Sequence, residues 1–373
     1  MQTNFRLLVV RLGAMGDILH ALPAVTALRL AHPTWQIGWV VEPRWQALLS
    51  SDAGLQGTEV GKQEVESGVG PRPQMSVRGP AMPLVDRLHF ASARAWSRRP
   101  LTVKTAGEIN ALRRELRRAH YDAVIDMQGA IKSAAIVRLA GCPRRIGSAK
   151  PREWPAQWLF TERVHTQSKH VIEQAVELAS TVAGDALAPA KPMLPVDPAA
   201  ESWCEAWLAA SFGIQSRPIV LISPGAGQSA RRWPAERFAA VALGLKQRGF
   251  HVLANGGPGD EDLAATITAG GAAVPVSTTL PQLIALTRRI ALCIANDTGP
   301  LHLACALGRP VVGIYSLTDP TRTGPFGTHA KVLRSPTSHT NYSRRAAFDT
   351  GLLTIAPEDV LQAAGELLAE VPA

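Results

Sequence analysis

Asp17 closes the run Gly13-Ala14-Met15-Gly16-Asp17, between the apolar stretch Phe5 to Val10 and an apolar-periodic stretch from Ile18 to Leu30. The pattern predicts strand, glycine-bearing turn, helix. Glycines at 13 and 16 permit backbone angles and close approaches that a Cβ blocks. Two roles are open to an acid in this place. It caps free N–H groups and suits the positive end of the helix dipole. Alternatively, it stands at the carboxyl edge of a parallel sheet, where ligands of open α/β folds bind. The turn lacks the G-x-G-x-x-G spacing of a dinucleotide fingerprint.

Three further strand-end turns lie in the second half. Ser223-Pro-Gly-Ala-Gly227 leads to Arg231-Arg232-Trp233-Pro234. A glycine-rich turn before a helix presents N–H groups to phosphate, and the two arginines either add paired donors or are simply solvated. Asn255-Gly-Gly-Pro-Gly-Asp260 offers Asp260 to ribose hydroxyls or as a helix cap. Asn296-Asp-Thr-Gly-Pro-Leu-His302 puts Pro300 at a first helical position, Asp297 and Thr298 at the cap, and His302 one turn further on. Together the three turns point to a nucleotide site more strongly than any one does. In the first half, Arg94, Arg98 and Arg99 surround Trp96, and Asp126-Met-Gln-Gly129 precedes Lys132. These are candidate anion contacts. No H-E-x-x-H, Walker A, G-x-S-x-G or metal-spaced cluster is present in the sequence, so no metal is expected.

The elements that must hold these residues alternate strand and helix, which predicts an α/β fold with parallel sheets. Strands are expected at Phe5–Val10, Gln36–Val41, Leu84–Phe90 and Ala123–Asp126, and helices at Ile18–Leu30, Ala106–Ala119, Ile131–Ala140 and His170–Ala183. The alternation restarts after a Pro/Ala-rich stretch, with strands at Pro218–Ser223, His251–Ala254, Leu292–Ala295 and Val311–Tyr315. Helices there are Ala235–Gln247, Glu261–Ala269, Pro281–Thr287, Pro300–Leu307 and Pro357–Leu368. The expected division is a domain over 1–185, a linker over 186–200 and a domain over 201–373, two Rossmann-like units with a cleft between them. Residues 51–83 break the pattern and read as a surface insertion.

The 373 residues are 46% hydrophobic and 18% charged, enough for a real core. No run is long enough to span a bilayer, and the short apolar start is not a signal peptide. The four cysteines, far apart, read as buried thiols in a reducing compartment. Of the net charge of +9, +8 sits in residues 1–190, where 24 Lys and Arg face 16 Asp and Glu; residues 191–373 carry 15 and 14. An anionic partner is implied. Aromatics are only 5%, with no stacking motif, so nucleic acid is disfavoured.

The segments together resemble the ADP-heptose:lipopolysaccharide heptosyltransferases of glycosyltransferase family nine, most of all its heptosyltransferase I members. The resemblance is carried by Met15-Gly16-Asp17 with Leu19-His20-x-Leu22-Pro23, Trp39-Val40-Val41-Glu42 and Tyr121 to Gly129 with Lys132-Ser133-Ala134. Trp233-Pro234, Asp297-Thr298-Gly299 with His302-Leu303, and Thr318-Asp319-Pro320 complete it.

It implies a GT-B fold, an acceptor domain followed by a donor domain. It also implies inverting transfer of L-glycero-D-manno-heptose from ADP-heptose to Kdo of Kdo-lipid A, with no cofactor. Asp17 matches the catalytic base. On the donor side Gly227, Arg231, Asp260, Thr278, Asp297, Thr298, Gly299 and His302 are implied; on the acceptor side, Gly13, Ala14, Arg94, Arg98 and Lys132. The enzyme is expected as a monomer in the cytoplasm, peripheral on the inner membrane. Arginine stands at 231 where the family has lysine, which keeps the charge and changes its geometry. The Gly-Ala-Gly loop is less polar than expected, and the 51–83 insertion adjoins the acceptor side. Competing readings are a related heptosyltransferase with another acceptor, a nucleotide-sugar epimerase on a similar scaffold, and a binding protein for anionic lipid or nucleic acid.

Overall fold

A computed structural model describes residues 5–51, 82–213, 217–257, 259–343 and 347–369. Most of the expected insertion, residues 52–81, lies outside them. In the first half run β1 (Arg6–Val10), α1 (Met15–Ala31), β2 (Gln36–Val41), β3 (Arg87–Phe90), α2 (Ala93–Arg98) and α3 (Val103–Arg118). They are followed by β4 (Ala123–Asp126), α4 (Ile131–Leu139), β5 (Arg144–Ser148), β6 (Glu162–Val164) and α5 (Val171–Ala183). The second half has α6 (Pro198–Phe212), β7 (Ile219–Ser223), α7 (Ala235–Gln247), β8 (His251–Asn255), α8 (Glu261–Thr268) and β9 (Val274–Val276). It continues with α9 (Leu280–Thr287), β10 (Leu292–Asn296), α10 (Gly299–Ala306), β11 (Val311–Tyr315), α11 (Pro320–Thr323), β12 (Ala330–Arg334) and α12 (Pro357–Ala369).

Among the described residues the strands form two six-stranded sheets, β3-β2-β1-β4-β5-β6 and β12-β11-β10-β7-β8-β9. Every pairing is parallel. The central strands are continuous apolar runs because both faces are covered by helices: Leu7 to Val10, Leu292 to Ala295 and Val311–Val312 are fully buried. In each sheet the strand order reverses beside β1 or between β7 and β10, the position at which open α/β sheets bind ligands.

Helix α1 is buried along most of its length, because it lies between the two halves and packs on both α5 and α10. The chain crosses between the halves along this helix, with Ala190 N–H donating to Pro23 O at 3.3 Å and Met193 N–H to Thr26 Oγ1 at 3.2 Å. Helix α6 then packs on α9, where Glu201 takes ion pairs from Arg288 and Arg289.

Two departures from the sequence expectation have local causes. Helix α1 begins at Met15 rather than Ile18, because Asp17 caps it from inside the first turn and Gly16 is absorbed into the helix. Strands β5, β6, β9 and β12 escape apolar patterning. Three are edge strands, two of them three residues long, one contains Pro275, and β5 reads Arg-Arg-Ile-Gly-Ser.

Candidate active site

The turn after β1 is tied to the strands on either side. Toward β2, Arg11 N–H donates to Val40 O at 3.3 Å, the fully buried Trp39 donates its indole N–H to Arg11 O at 3.0 Å, and Glu42 N–H donates to Leu12 O at 3.1 Å. Toward β4, Leu12 N–H donates to Gln128 Oε1 at 2.9 Å and the Arg11 guanidinium donates to Met127 O. The β4 turn is itself wound round Asp126. Its carboxyl accepts from Gln128 N–H at 2.7 Å, Gly129 N–H at 3.0 Å and the Ser133 hydroxyl at 2.9 Å. Burial pushes Asp126 up to about 6 against these hydrogen bonds.

Arg11 also reaches forward to Asp17. Its Nε donates to the Asp17 carbonyl and its Nη2 pairs with Asp17 Oδ1, both at 2.9 Å. Asp17 Oδ2 accepts from Ala14 N–H at 3.0 Å. The carboxylate therefore caps the helix and still keeps 34% of its side-chain surface open. Of its roughly four lone-pair positions, the protein occupies two. Asp17 thus caps the helix and also stands, partly open, at the carboxyl edge of the first sheet.

Gly13 has φ of +143°, and a Cβ there would stand 2.5 Å from the Trp45 indole nitrogen, so the position requires glycine. That indole N–H is buried and without a hydrogen-bond partner among the described residues. Nothing in the sequence pattern marked Trp45.

In the second half Asn296 joins two of the expected turns. Its amide donates to Pro224 O at 2.7 Å, and its carbonyl accepts from Trp233 N–H at 3.2 Å. Thr298 is the N-cap of α10, but neither it nor Asp297 makes the expected capping bond. The Thr298 hydroxyl is buried and unpartnered among the described residues. Asp297 instead turns to His302, Oδ1 to Nε2 at 3.0 Å. Burial works against its charge, yet the hydrogen bond from His302 and the charges of His302 and Arg231 hold its carboxyl below the usual range.

Arg231 donates from Nη2 to Asn341 O at 3.2 Å, while its buried Nε has no partner among the described residues. Arg232 pairs with Asp260 at 2.9 Å. Asp260 heads α8 without a side-chain cap and lies directly on Gly225, where a Cβ would be 2.0 Å from Oδ2. Burial raises its carboxyl, with Arg232 pulling the other way. Thr278 is half-buried at the end of β9, its hydroxyl 3.5 Å from Asn255 Oδ1. Gly227 is exposed in open space.

The two halves meet where α1 and α10 begin. A Cβ on Gly16 would stand 2.8 Å from His302 Cδ2, and one on Gly299 would stand 2.6 Å from Met15 Sδ. His20, one turn beyond Asp17, places Nε2 3.3 Å from His302 Nδ1. The fold thus brings together Gly13, Ala14, Asp17, Asp297, Thr298, Gly299 and His302, with Arg231 close enough to bias Asp297. Arg94, Arg98 and Lys132 are exposed on the carboxyl rim of the first sheet. Among the described residues no three His, Cys, Asp or Glu side chains are grouped as metal ligands would be.

Two parallel sheets whose carboxyl edges face one cleft make this a GT-B protein, the two-domain class of nucleotide-sugar glycosyltransferases. Solved structures share the architecture over almost the whole chain. One is the glycosyl transferase family 9 protein from Veillonella parvula DSM 2008, at TM-score 0.76 and 20% identity, covering 100% of this chain and 99% of that one. Another is the E. coli heptosyltransferase WaaC with ADP-2-deoxy-2-fluoro heptose, at TM-score 0.71 and 23% identity, covering 97% and 99%. Residues 109–349 match glycosyltransferase family 9 (heptosyltransferase), and the chain belongs to that family. Lipopolysaccharide heptosyltransferase 1 of Escherichia coli (strain K12) is 29% identical over 349 residues, 89% of this chain and 94% of the relative. The protein is a glycosyltransferase of the lipopolysaccharide heptosyltransferase kind.

Proposed function

We propose that the enzyme transfers L-glycero-D-manno-heptose from ADP-heptose to Kdo of Kdo-lipid A, with inversion. The observation that carries this reading is the meeting of α1 and α10 at their first turns, with Met15 on Gly299 and Gly16 on His302. It sets a partly open carboxylate beside a helix N-terminus suited to a diphosphate. Asp17 takes the proton of the acceptor hydroxyl as that oxygen attacks the anomeric carbon opposite ADP. Charge then grows on the departing diphosphate, where α10 N–H groups, the Thr298 hydroxyl and Arg231 offer donors. Asp260 and Thr278 lie on the loops assigned to the nucleoside. In this division residues 1–185 hold the acceptor, 186–200 link, and 201–373 hold the donor.

Purified enzyme, ADP-heptose and a panel of Kdo-bearing acceptors, followed by mass spectrometry, test the reading. A heptosylated Kdo-lipid A is expected. Transfer only to an acceptor already carrying heptose would reassign the substrate, and release of an altered free sugar nucleotide would overturn transfer altogether.

The reading extends to a cytoplasmic monomer peripheral on the inner membrane. It is supported by the rim of the first sheet, on the same edge as Asp17. Leu101 and Val103 are almost wholly exposed there, and Trp154 and Trp158, ring centroids 4.7 Å apart, are both more than half exposed beside Ile131. Arg98, Arg99, Lys104, Lys132, Lys150 and Arg152 are interspersed. Apolar and aromatic side chains among basic ones suit an anionic bilayer surface. No described helix is long and apolar enough to cross a membrane. Flotation with phosphatidylglycerol vesicles should carry the enzyme up, and a Trp154→Ala/Trp158→Ala variant should float markedly less. Equal flotation of the two would remove this rim as the contact.

A further inference from the structure

The link between His20 and His302 joins residues 282 positions apart, one from each half. Both imidazoles are buried, with ring centroids 4.4 Å apart and planes at 67°. The second nitrogen of His302 is committed to Asp297 at 3.0 Å. An ionised carboxylate only accepts, so His302 Nε2 carries a proton. Its Nδ1 then meets His20 Nε2 through a single shared N–H, whichever ring supplies it.

His20 is held neutral. Burial lowers its affinity for a proton, as do the charges of His302, Arg11 and His170. It and His302 also line a cavity of about 350 Å³, walled largely by apolar groups such as Leu19, Ile172 and Phe326, with Lys191 at its edge. That lining includes neither Asp17 nor the 225–232 turn. A hydrogen bond in such surroundings is stronger than one in water, and losing one partner strands the other.

We infer that His20 is a positioning residue for the transfer. By hydrogen-bonding His302 across the cleft, it fixes the ring that Asp297 orients, and so makes domain closure and alignment of the donor-side histidine one event. Asp17 and His20 are on successive turns of α1. The segment that presents the base is therefore the segment that docks on α10. The inference rests on the assignment of residues 297–302 to the donor. It adds a residue to which that assignment gives no role, because His20 belongs to the opposite half.

Replacement of His20 separates packing from hydrogen bonding. His20→Phe keeps a flat ring and loses the bond. His20→Gln keeps an amide at about the reach of Nε2, and His20→Asn falls one methylene short. Circular dichroism and thermal melts establish that each is folded. Binding of ADP, measured by calorimetry, should stay within about threefold in all three, because its contacts are on the second half. Turnover should fall on the order of tenfold, the size of one buried hydrogen bond, in His20→Phe and His20→Asn, and recover largely in His20→Gln. In a His302→Gln background, His20→Phe should cost little more, since the pair acts as a unit.

A folded His20→Phe enzyme turning over within twofold of wild type overturns the inference. So does equal loss in Gln and Asn, or full additivity with His302→Gln. If His20→Phe does not fold, the Gln and Asn comparison decides. Failure of the wild-type enzyme to bind ADP-heptose is a different result: it removes the donor assignment, and this inference with it.

Discussion

Gly16 of the first half lies under the imidazole of His302 in the second, so closely that a Cβ on Gly16 would stand 2.8 Å from His302 Cδ2. Gly16 is inside α1 and has no positive φ, so alanine there carries no backbone strain. Helix propensity favours alanine over glycine by about 1 kcal/mol. Against that gain, the new Cβ must displace a ring held at both nitrogens, an overpacking cost of about 1–3 kcal/mol, so Gly16→Ala should leave thermal stability unchanged or lowered and lower turnover by holding α1 off α10. Paired melting curves and steady-state rates check this. A variant both stable and fully active would show that the contact is not part of the working state.

Asp17 bears on chemistry more than on binding in the proposed mechanism. Asp17→Asn should reduce kcat by about 10²–10⁴-fold, the range for a positioned base, with ADP affinity near wild type. Turnover within a few fold of normal in a folded variant would remove Asp17 as the base. The Arg11 ion pair is lost with the charge, so a modest fall in stability is also expected.

Arg231 offers a buried nitrogen without a partner among the described residues, on the turn assigned to the diphosphate. Arg231→Gln should weaken ADP binding by about ten- to a hundredfold, the scale of one charge-assisted hydrogen bond. Arg231→Lys should recover part of it, keeping the charge and losing the planar fork. Calorimetric titration with ADP at two salt concentrations measures both. An unchanged affinity in Arg231→Gln would take the residue out of the donor site.

Asp126 makes stability depend on pH in a stated direction. Its folded value is about 6 against an ordinary 3.8, so the folded state binds the proton more tightly than the unfolded one. Its contribution is full below the ordinary value and is lost as pH rises through about 6, a cost on the order of 3 kcal/mol above that. Asp126→Asn keeps an acceptor for Gln128 and Gly129 and carries no charge. Urea melts should show the variant gaining on wild type as pH rises from about 4 to about 6, then keeping a constant lead. A difference independent of pH would mean that burial does not raise Asp126 above its unfolded value.

Much of the scaffold was legible in the sequence because its central strands are apolar runs cut off by turn residues. Gln36–Val41, Ala123–Asp126 and Val311–Tyr315 were found to the residue, as was helix Ala235–Gln247. Edge strands such as Val274–Val276 were not, since a half-exposed strand needs little apolar patterning. Asp17 and the 296–302 turn were marked by glycine and proline at strand ends, which is local information. Trp45 and the partner of His20 were invisible for the opposite reason. What makes Trp45 notable is its place against Gly13, and what makes His20 notable is a ring 282 residues away. Thr298 heads α10 without the expected side-chain cap, and its hydroxyl is buried without a partner among the described residues. Arg94 and Arg98, expected as acceptor contacts, are exposed on the carboxyl rim of the first sheet.

Asn296 bonds both to the carbonyl of Pro224 and to the amide of Trp233, so one side chain rivets together two of the turns the proposal gives to the nucleotide. Those two turns can then travel only as a single piece. In the proposed reading, closure around a sugar nucleotide would then leave those two turns fixed to each other, and losing the Asn296 amide would uncouple them.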